Sequence, residues 1–270
     1  MIKMLVLDID GTIFKKDYTA SDRVKNTLKA LVQDGIKVVL CTGRMYAATK
    51  FIAQELGLNT PVICYQGGII KDFLNDDKTL LEINMDVELA RDVISVLKAR
   101  NIFFNLYIND NLIVEKDDRL IREYVDARNI TYKVVGDCEN IDLTGLNKVL
   151  AIDDDPILIE NLQKEMAQRY KDKLYVVRST SRFCEFSNPE ATKGNAVRFL
   201  ADMWGIKKEE IMACGDQDND IEMLLSAGTK VAMGNATKDL KNLADFVTDS
   251  VDNDGVVTAV GKFIGEKYAL

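Results

Sequence analysis

Met4-Leu5-Val6-Leu7-Asp8-Ile9-Asp10-Gly11-Thr12, near the start of the chain, is an apolar run that ends on two carboxylates and a glycine. The apolar part predicts a buried β-strand. A helix-period segment follows from Arg23 to Gln33, then a strand-like run from Lys37 to Leu40, a second helical segment from Tyr46 to Leu56, and a strand-like run from Pro61 to Cys64. This βαβαβ alternation predicts an α/β fold with a parallel sheet.

The same alternation returns late in the chain. We expect a helix from Lys193 to Met203, a strand from Ile211 to Cys214, a helix from Asn219 to Ser226 and a strand from Lys230 to Met233. Both ends of the sequence therefore contribute to one sheet, and they define a core domain of residues 1–83 and 184–270.

The middle of the chain, residues 84–183, has a different texture. Helical segments from Val87 to Lys98 and from Asp117 to Ala127 alternate with strand patterns such as Phe103 to Ile108, and aromatic residues concentrate here. We interpret this stretch as an inserted α+β domain.

Composition narrows the function. The 270 residues carry a formal net charge of −8, which argues against binding to a nucleic-acid backbone and favours a small-molecule partner. No run approaches the roughly 18 apolar residues of a membrane span. The first apolar stretch is too short for a signal-peptide core, so we expect a cytoplasmic protein. Oligomeric state leaves no mark in the sequence.

Histidine is absent from the sequence, and this excludes Ser-His-Asp and Cys-His nucleophilic systems and histidine-ligated zinc. The five cysteines stand singly and are expected to be buried, reduced thiols. They are Cys41, Cys64, Cys138, Cys184 and Cys214.

Polar residues follow three of the predicted strands. Ligand sites of open α/β sheets gather at the carboxyl ends of strands, which is where Asp8 and Asp10 lie. Strand alternation would point their side chains apart, so the chain must turn between them if both face one ligand, and Gly11 permits that turn. Taken alone, the Asp-Gly pair also fits an ordinary turn.

After the second strand, Thr42-Gly43 offers a hydroxyl and a backbone N–H that suit a phosphate oxygen, although Thr42 could instead cap the next helix. Arg44 fits either a phosphate clamp or a surface charge, and we favour the surface. Lys193 opens a helix, where a positive charge is poorly placed for the helix dipole, and an external anion would explain it; a solvated lysine is the alternative.

The densest cluster of acidic residues, Gly215-Asp216-Gln217-Asp218-Asn219-Asp220, comes directly after a strand. One acidic residue at a helix start needs no function, but four polar acceptors in five positions suit a hard cation such as Mg²⁺. A calcium loop is excluded because the glutamate expected at its twelfth position is missing.

Together and in this order, the four segments resemble the motifs of the haloacid dehalogenase superfamily of phosphotransferases: Asp-x-Asp-x-Thr, a strand-end Thr or Ser, a Lys, and an acidic Gly-Asp-x-x-x-Asp. The resemblance covers both halves of the core and implies a Rossmann-like, parallel-sheet catalytic domain. About 150 residues separate Thr42 from Lys193, as in the Cof-type branch (class IIB), whose large α/β cap is inserted there. That branch usually carries Asn-Gly-Ala where this chain has Gln66-Gly67-Gly68.

The resemblance also implies roles. Asp8 would be the nucleophile that forms an aspartyl-phosphate, and Asp10 the general acid and base, which requires surroundings that raise its pKa. Asp8, the main-chain carbonyl of Asp10 and Asp216 would hold Mg²⁺, with Asp220 in support. The residues expected to bind the phosphate are Ile9, through its N–H, Thr42, Gly43, Lys193 and Asn219.

We expect Mg²⁺-dependent hydrolysis of a small phosphomonoester, such as a sugar phosphate or a phosphorylated cofactor. Two alternatives stay open: a phosphomutase that returns the phosphoryl group to a sugar, and a sensor that binds phosphometabolites without turnover. A dehalogenase is disfavoured because Asp10 would have no leaving alkoxide to protonate. The sequence does not rank the candidates for substrate selection in the inserted domain, which are Tyr107, Arg122, Arg178 and Arg182.

Overall fold

The computed structural model describes residues 1–126, 128 and 130–269. The chain forms two compact units. Unit 1 comprises Met1–Leu81 and Thr192–Leu270, and unit 2 comprises Glu82–Ala191. No helix among the described residues is both long enough and apolar enough to cross a membrane.

The helices and strands follow one another in three segments of chain. The first holds β1 (Met4–Leu7), α1 (Asp22–Gln33), β2 (Lys37–Leu40), α2 (Tyr46–Glu55), β3 (Val62–Cys64), β4 (Ile69–Asp72) and β5 (Lys78–Glu82). The second holds α3 (Val87–Ala99), β6 (Phe103–Ile108), β7 (Asn111–Val114), α4 (Arg119–Asp126), β8 (Tyr132–Val134), β9 (Leu146–Ile152), α5 (Pro156–Arg169), β10 (Tyr175–Thr180) and β11 (Phe183–Ser187). The third holds α6 (Lys193–Trp204), β12 (Ile211–Gly215), α7 (Ile221–Leu225), β13 (Thr229–Ala232), α8 (Lys238–Leu243), β14 (Phe246–Val247) and α9 (Gly255–Phe263).

Unit 1 is built on a five-stranded sheet in the order β14-β13-β12-β1-β2, and every neighbouring pair in it is parallel. Strand β1 lies inside this sheet, and all four of its residues are fully buried. A strand covered on both faces has no polar side, which explains its unbroken apolar run. Burial of a Leu side chain is worth about 1.5–3 kcal/mol, so β1 anchors the core.

The register of the strands in this sheet determines which residues lie next to one another at its edge. Leu7 pairs with Leu40 of β2 and with Cys214 of β12. Because parallel strands end at one edge of a sheet, the residues that follow these three partners are brought together. A separate three-stranded sheet, β3-β4-β5, lies beside the second helix; its last two strands were not predicted.

Unit 2 has a six-stranded sheet in the order β10-β11-β9-β6-β7-β8, antiparallel except for the β7–β8 pair. Helices α3 and α5 pack on one face through a buried apolar cluster that includes Val93, Leu97, Leu162 and Phe186. The expected α/β core and inserted α+β sheet are both confirmed.

Several predicted boundaries shift. Strand β11 pairs with β9 and β10 and belongs to unit 2, so the return to unit 1 comes later than the predicted 183/184 boundary. The predicted helix from Asn219 starts as a short 3₁₀ turn, and the α-helix begins at Ile221. The helix predicted from Asp117 spans Arg119–Asp126, and its predicted last residue, Ala127, lies outside the described residues. All five cysteines are buried, as predicted.

Candidate active site

Three carboxylates meet at the strand-end edge of the unit 1 sheet. Asp8 follows β1, Asp216 follows β12, and Asp220 lies one short turn further along. Each offers a carboxylate oxygen, and these oxygens lie within 4.8 Å of one another. The three residues are buried, Asp220 completely. We call them the carboxylate cluster.

Lys193, at the first position of α6, lies within the carboxylate cluster and is fully buried. Its Nζ is 2.6 Å from Asp8 Oδ1 and 2.6 Å from Asp220 Oδ1. A solvated lysine is therefore the wrong interpretation. Burial alone would lower the pKa of Lys193, but the carboxylates of Asp220 and Asp8 outweigh it and hold the pKa well above its ordinary value.

The cluster holds more negative charge than Lys193 can neutralise. Burial raises the pKa of Asp8 well above its ordinary value, and the neighbouring carboxylates add to this while Lys193 opposes it. Burial, with the charge of Asp220, raises the pKa of Asp216 to about 7. Several buried carboxylate oxygens facing one ammonium form a donor set that fits a hard divalent cation such as Mg²⁺.

Asp220 also supports its own loop. Its Oδ2 accepts hydrogen bonds from the backbone N–H groups of Asp216, at 2.9 Å, and Gln217, at 3.1 Å. The Asp216 carboxylate accepts from Gln217 Nε2 at 2.9 Å and from Asn235 Nδ2 at 3.4 Å. Asn235 also donates to the carbonyl of Gly11 at 2.9 Å. Asn235 was missed by the sequence analysis, although its place just after β13 follows the same strand-end rule.

Asp10 and Arg44 form an ion pair beside the cluster. Arg44 Nε is 2.8 Å from Asp10 Oδ2, and Arg44 Nη2 is 2.5 Å from Asp10 Oδ1. Arg44 is buried, at 8% exposed, so the surface position that we favoured for it is wrong. The Asp10 side chain is 41% exposed and is not one of the three clustered carboxylates. The chain turns at Gly11, which has φ +82° and whose Cβ, if present, would lie 2.3 Å from Asp216 Oδ2.

The residues predicted to bind phosphate lie on four segments around the cluster. Thr42 is buried, and its Oγ1 accepts from the N–H of Arg44 at 3.2 Å. Helix α2 has Met45 as its N-cap, so Thr42 does not cap it. Asn219 is buried and donates from Nδ2 to Gln66 Oε1 at 3.0 Å. Ile9 is buried, and its carbonyl closes the turn that follows Asp8.

In unit 2, the candidates for substrate selection separate into two groups. Arg122, Arg178 and Arg182 form ion pairs with acidic neighbours, and their side chains are between 31% and 57% exposed. Tyr107 is buried, and its hydroxyl is 2.6 Å from that of Tyr124.

Two further polar features of unit 2 were missed by the sequence analysis. Lys148 Nζ pairs with Glu185 Oε2 at 2.6 Å, and both residues are buried. Asn105 is fully buried, and neither polar atom of its side chain has a hydrogen-bond partner among the described residues. Buried polar side chains in the middle of a strand leave no mark in the sequence that separates them from exposed ones.

Comparison with known proteins identifies the family. The model of the haloacid dehalogenase-like hydrolases matches residues 5–260. The Bacillus subtilis protein YxeH is 32% identical over 98% of this chain and 99% of its own length. The 5-amino-6-(5-phospho-D-ribitylamino)uracil phosphatase YwtE of B. subtilis is 27% identical over 99% of this chain and 100% of its own. A solved structure from Thermotoga maritima is 31% identical, with a TM-score of 0.81 over 97% of this chain and 98% of that one. The chain belongs to the haloacid dehalogenase-like hydrolases.

Proposed function

We propose that the protein is a phosphatase that hydrolyses small phosphomonoesters with Mg²⁺ as cofactor. The observation that carries the proposal is the carboxylate cluster around Lys193, since a phosphate group could not approach it without cationic compensation. Asp8, the main-chain carbonyl of Asp10 and Asp216 would hold the ion, with Asp220 in support. When bound, Mg²⁺ would neutralise charge on the transferring phosphoryl group.

In the first step, a carboxylate oxygen of Asp8 attacks phosphorus and the bond from phosphorus to the leaving oxygen breaks. Asp10 donates a proton to that oxygen, and the alcohol departs. In the second step, Asp10 takes a proton from water, whose oxygen attacks phosphorus; the bond from phosphorus to the Asp8 oxygen breaks and inorganic phosphate leaves. Asp8 and the proton of Asp10 are regenerated, so the sum is one ester and one water converted to an alcohol and phosphate.

The phosphate oxygens would be bound by Thr42, Lys193, Asn219 and the N–H groups of Ile9 and Gly43. Lys193 has a second task, because its ammonium stabilises the ionised form of Asp8 that attacks phosphorus. Arg44 is paired with Asp10, so the Asp10 carboxyl must leave Arg44 before it can reach the leaving oxygen. Substrate binding is the step to which we assign that change.

For the alcohol part of the substrate we propose a polar, hydroxyl-bearing group. The substrate named for YwtE carries a phosphorylated ribityl chain, which has this chemistry. Five buried cysteines fit a reducing compartment, and we assign the protein to the cytoplasm.

The test is a phosphate-release screen of the purified protein over sugar phosphates, nucleotides, and pyridoxal and flavin phosphates, with Mg²⁺ and with EDTA. We expect Mg²⁺-dependent release from a polyol or sugar phosphate. Phosphoryl transfer from a sugar bisphosphate without phosphate release would contradict hydrolysis and support a phosphomutase. Tight binding with no release from any compound would support a sensor.

A further inference from the structure

A buried loop next to the carboxylate cluster carries a side chain that neither the four catalytic motifs nor the proposed mechanism uses. Gln66, in the turn that follows β3, is only 1% exposed and has φ +59°. Its neighbour Tyr65 has φ +52°. A left-handed conformation of a residue other than glycine costs of order 1–3 kcal/mol, and such residues concentrate at functional sites. A functional role for Gln66 would explain why this strained backbone conformation is kept at a buried position.

The Gln66 amide lies between two residues of the proposed phosphate site. Its Oε1 accepts from Asn219 Nδ2 at 3.0 Å. On the other side, a Cβ on Gly43 would lie 2.4 Å from Gln66 Nε2, so only a glycine leaves room for this amide. The backbone N–H of Gln66 donates to the carbonyl of Thr42 at 3.1 Å. One residue thus contacts the turn after β2 and the turn after β12.

The same loop also packs against the segment that positions Lys193. A Cβ on Gly67 would lie 2.1 Å from the carbonyl oxygen of Thr192 and 3.0 Å from the backbone nitrogen of Lys193. Thr192 is the N-cap of α6. The loop therefore touches three of the four segments that carry proposed phosphate ligands.

The hydrogen bonds available to Asn219 show what the Gln66 amide contributes. The Nδ2 of Asn219 has two hydrogens; one is directed to Gln66, which leaves the other for a phosphate oxygen. Asn219 Oδ1 is buried and has no hydrogen-bond partner among the described residues. The bond to Gln66 therefore ties the Asn219 side chain to this loop.

We propose that Gln66 is a positioning residue that orients Asn219 and braces the Thr42–Gly43 turn for binding the substrate phosphate. The inference rests on the proposed phosphatase function and adds to it a residue outside the four catalytic motifs. Gln66 acts through its neighbours and takes no part in bond making or breaking.

The side-chain length of Gln66 allows a test that separates positioning from folding. Asparagine adopts φ > 0 more readily than glutamine, but its side chain is one methylene shorter and would lose contact with Asn219. Gln66→Asn should therefore leave the protein folded at the assay temperature, while the inhibition constant for inorganic phosphate and the KM for p-nitrophenyl phosphate rise roughly five- to tenfold. Gln66→Gly, which removes the amide and the backbone strain together, should act in the same direction.

Two controls complete the experiment, which measures kcat, KM, phosphate inhibition and thermal melting for each variant. Asn101→Gly relieves a left-handed residue in unit 2 (φ +53°) and should change none of the kinetic constants. The double variant Asn219→Ala, Gln66→Asn should bind phosphate as tightly as Asn219→Ala alone, because the two substitutions remove the same interaction.

The outcomes distinguish the inference from the proposed function. Wild-type protein that hydrolyses p-nitrophenyl phosphate, with Gln66→Asn and Gln66→Gly unchanged in phosphate inhibition and KM, would overturn the role of Gln66 and leave the phosphatase intact. Additive effects in the double variant would overturn it as well. Wild-type protein that neither hydrolyses the ester nor binds phosphate would overturn both.

Discussion

Each unit of the molecule buries a lysine against carboxylates, and the two sites differ in the number of carboxylates that the lysine contacts. In unit 2, Lys148 Nζ lies 2.6 Å from Glu185 Oε2, a contact of one ammonium with one carboxylate. In unit 1, Lys193 faces Asp8 and Asp220 at the same distance, and Asp216 completes the group. Charge balance is what a stable buried pair requires. Among the described residues, the unit 1 cluster has more carboxylates than ammonium groups, and this favours the binding of a further cation.

The largest effect is expected from Asp8, the proposed nucleophile. Asp8→Asn keeps a side-chain oxygen near Lys193 but removes the attacking carboxylate, so phosphate release should fall by about 10⁴-fold or more, the scale on which loss of a covalent nucleophile is measured. Initial rates with an aryl phosphate check this. Asp17→Asn changes an exposed carboxylate of the same unit and is the matched control. Full Mg²⁺-dependent activity of Asp8→Asn would refute a covalent mechanism.

Variants that lack one or the other lysine distinguish effects on stability from effects on activity. Lys148→Met removes the ammonium that faces the buried Glu185, and Lys193→Met removes the ammonium of the carboxylate cluster. Each substitution should lower the free energy of unfolding by about 3–5 kcal/mol. Urea unfolding measures this. Only Lys193→Met should also abolish phosphate release when measured below the unfolding transition.

Double variants that remove both the lysine and one facing carboxylate test the difference between the two units. Lys148→Met with Glu185→Leu removes a balanced pair, and should recover most of the lost stability. Lys193→Met with Asp220→Leu should recover part of the stability and none of the activity. A unit 2 double variant as unstable as its single parent would contradict the view that this pair is balanced.

The excess charge in unit 1 should make metal-free stability depend on pH. Because the pKa of Asp216 is raised to about 7, the folded state retains a proton that the unfolded state loses from about pH 4. The stability from this group is thus complete below pH 4 and is lost as pH rises through 7. In EDTA, the melting temperature of the wild-type protein minus that of Asp216→Asn should fall between pH 4 and pH 7.

Mg²⁺ should reverse this loss, because metal binding requires the ionised carboxylates. At a fixed concentration of about 100 times its Kd at pH 8, the ion should stabilise the wild-type protein by about 2.7 kcal/mol at pH 8 and by less at pH 5, where the Kd is higher. The Lys148→Met, Glu185→Leu double variant is the control, and it should keep this response. A Mg²⁺ shift of the same size at both pH values would contradict metal binding by the carboxylate cluster.

The smallest effect is expected where a pair is exposed. The Arg122–Asp117 pair of unit 2 has side chains 57% and 49% exposed, and solvent screens such pairs to below about 1 kcal/mol. Arg122→Ala should change the unfolding free energy by less than that and leave KM unchanged for the best substrate of the screen. A large rise in KM would place Arg122 among the residues that select the substrate.

Much of the unit 1 site could be predicted because it follows from strand ends. Parallel strands bring the residues after them to one edge, so Asp8, Thr42 and Asp216 could be grouped from the sequence alone. The position of Arg44 could not, because its burial depends on pairing with Asp10, 34 positions away, and on packing beside Phe14 and Tyr18.

Unit 2 was predicted less completely, for a physical reason. Its class followed from periodicity, but the pairing of β9 with β6 and β11 joins distant segments that no local pattern records. The Lys148–Glu185 pair depends on that pairing and was missed. Gln66 was noticed as a departure from the family motif, yet its link to Asn219 appears only when two distant turns are packed together.

The central claim is that Asp8 carries the phosphoryl group during turnover. Borohydride added to the working enzyme would reduce an aspartyl-phosphate to homoserine, and peptide mass spectrometry would locate it. The account predicts homoserine at residue 8, only when substrate and Mg²⁺ are both present, and none in Asp8→Asn. Reduction at Asp10 or Asp216, or none at all while phosphate is released, would contradict it.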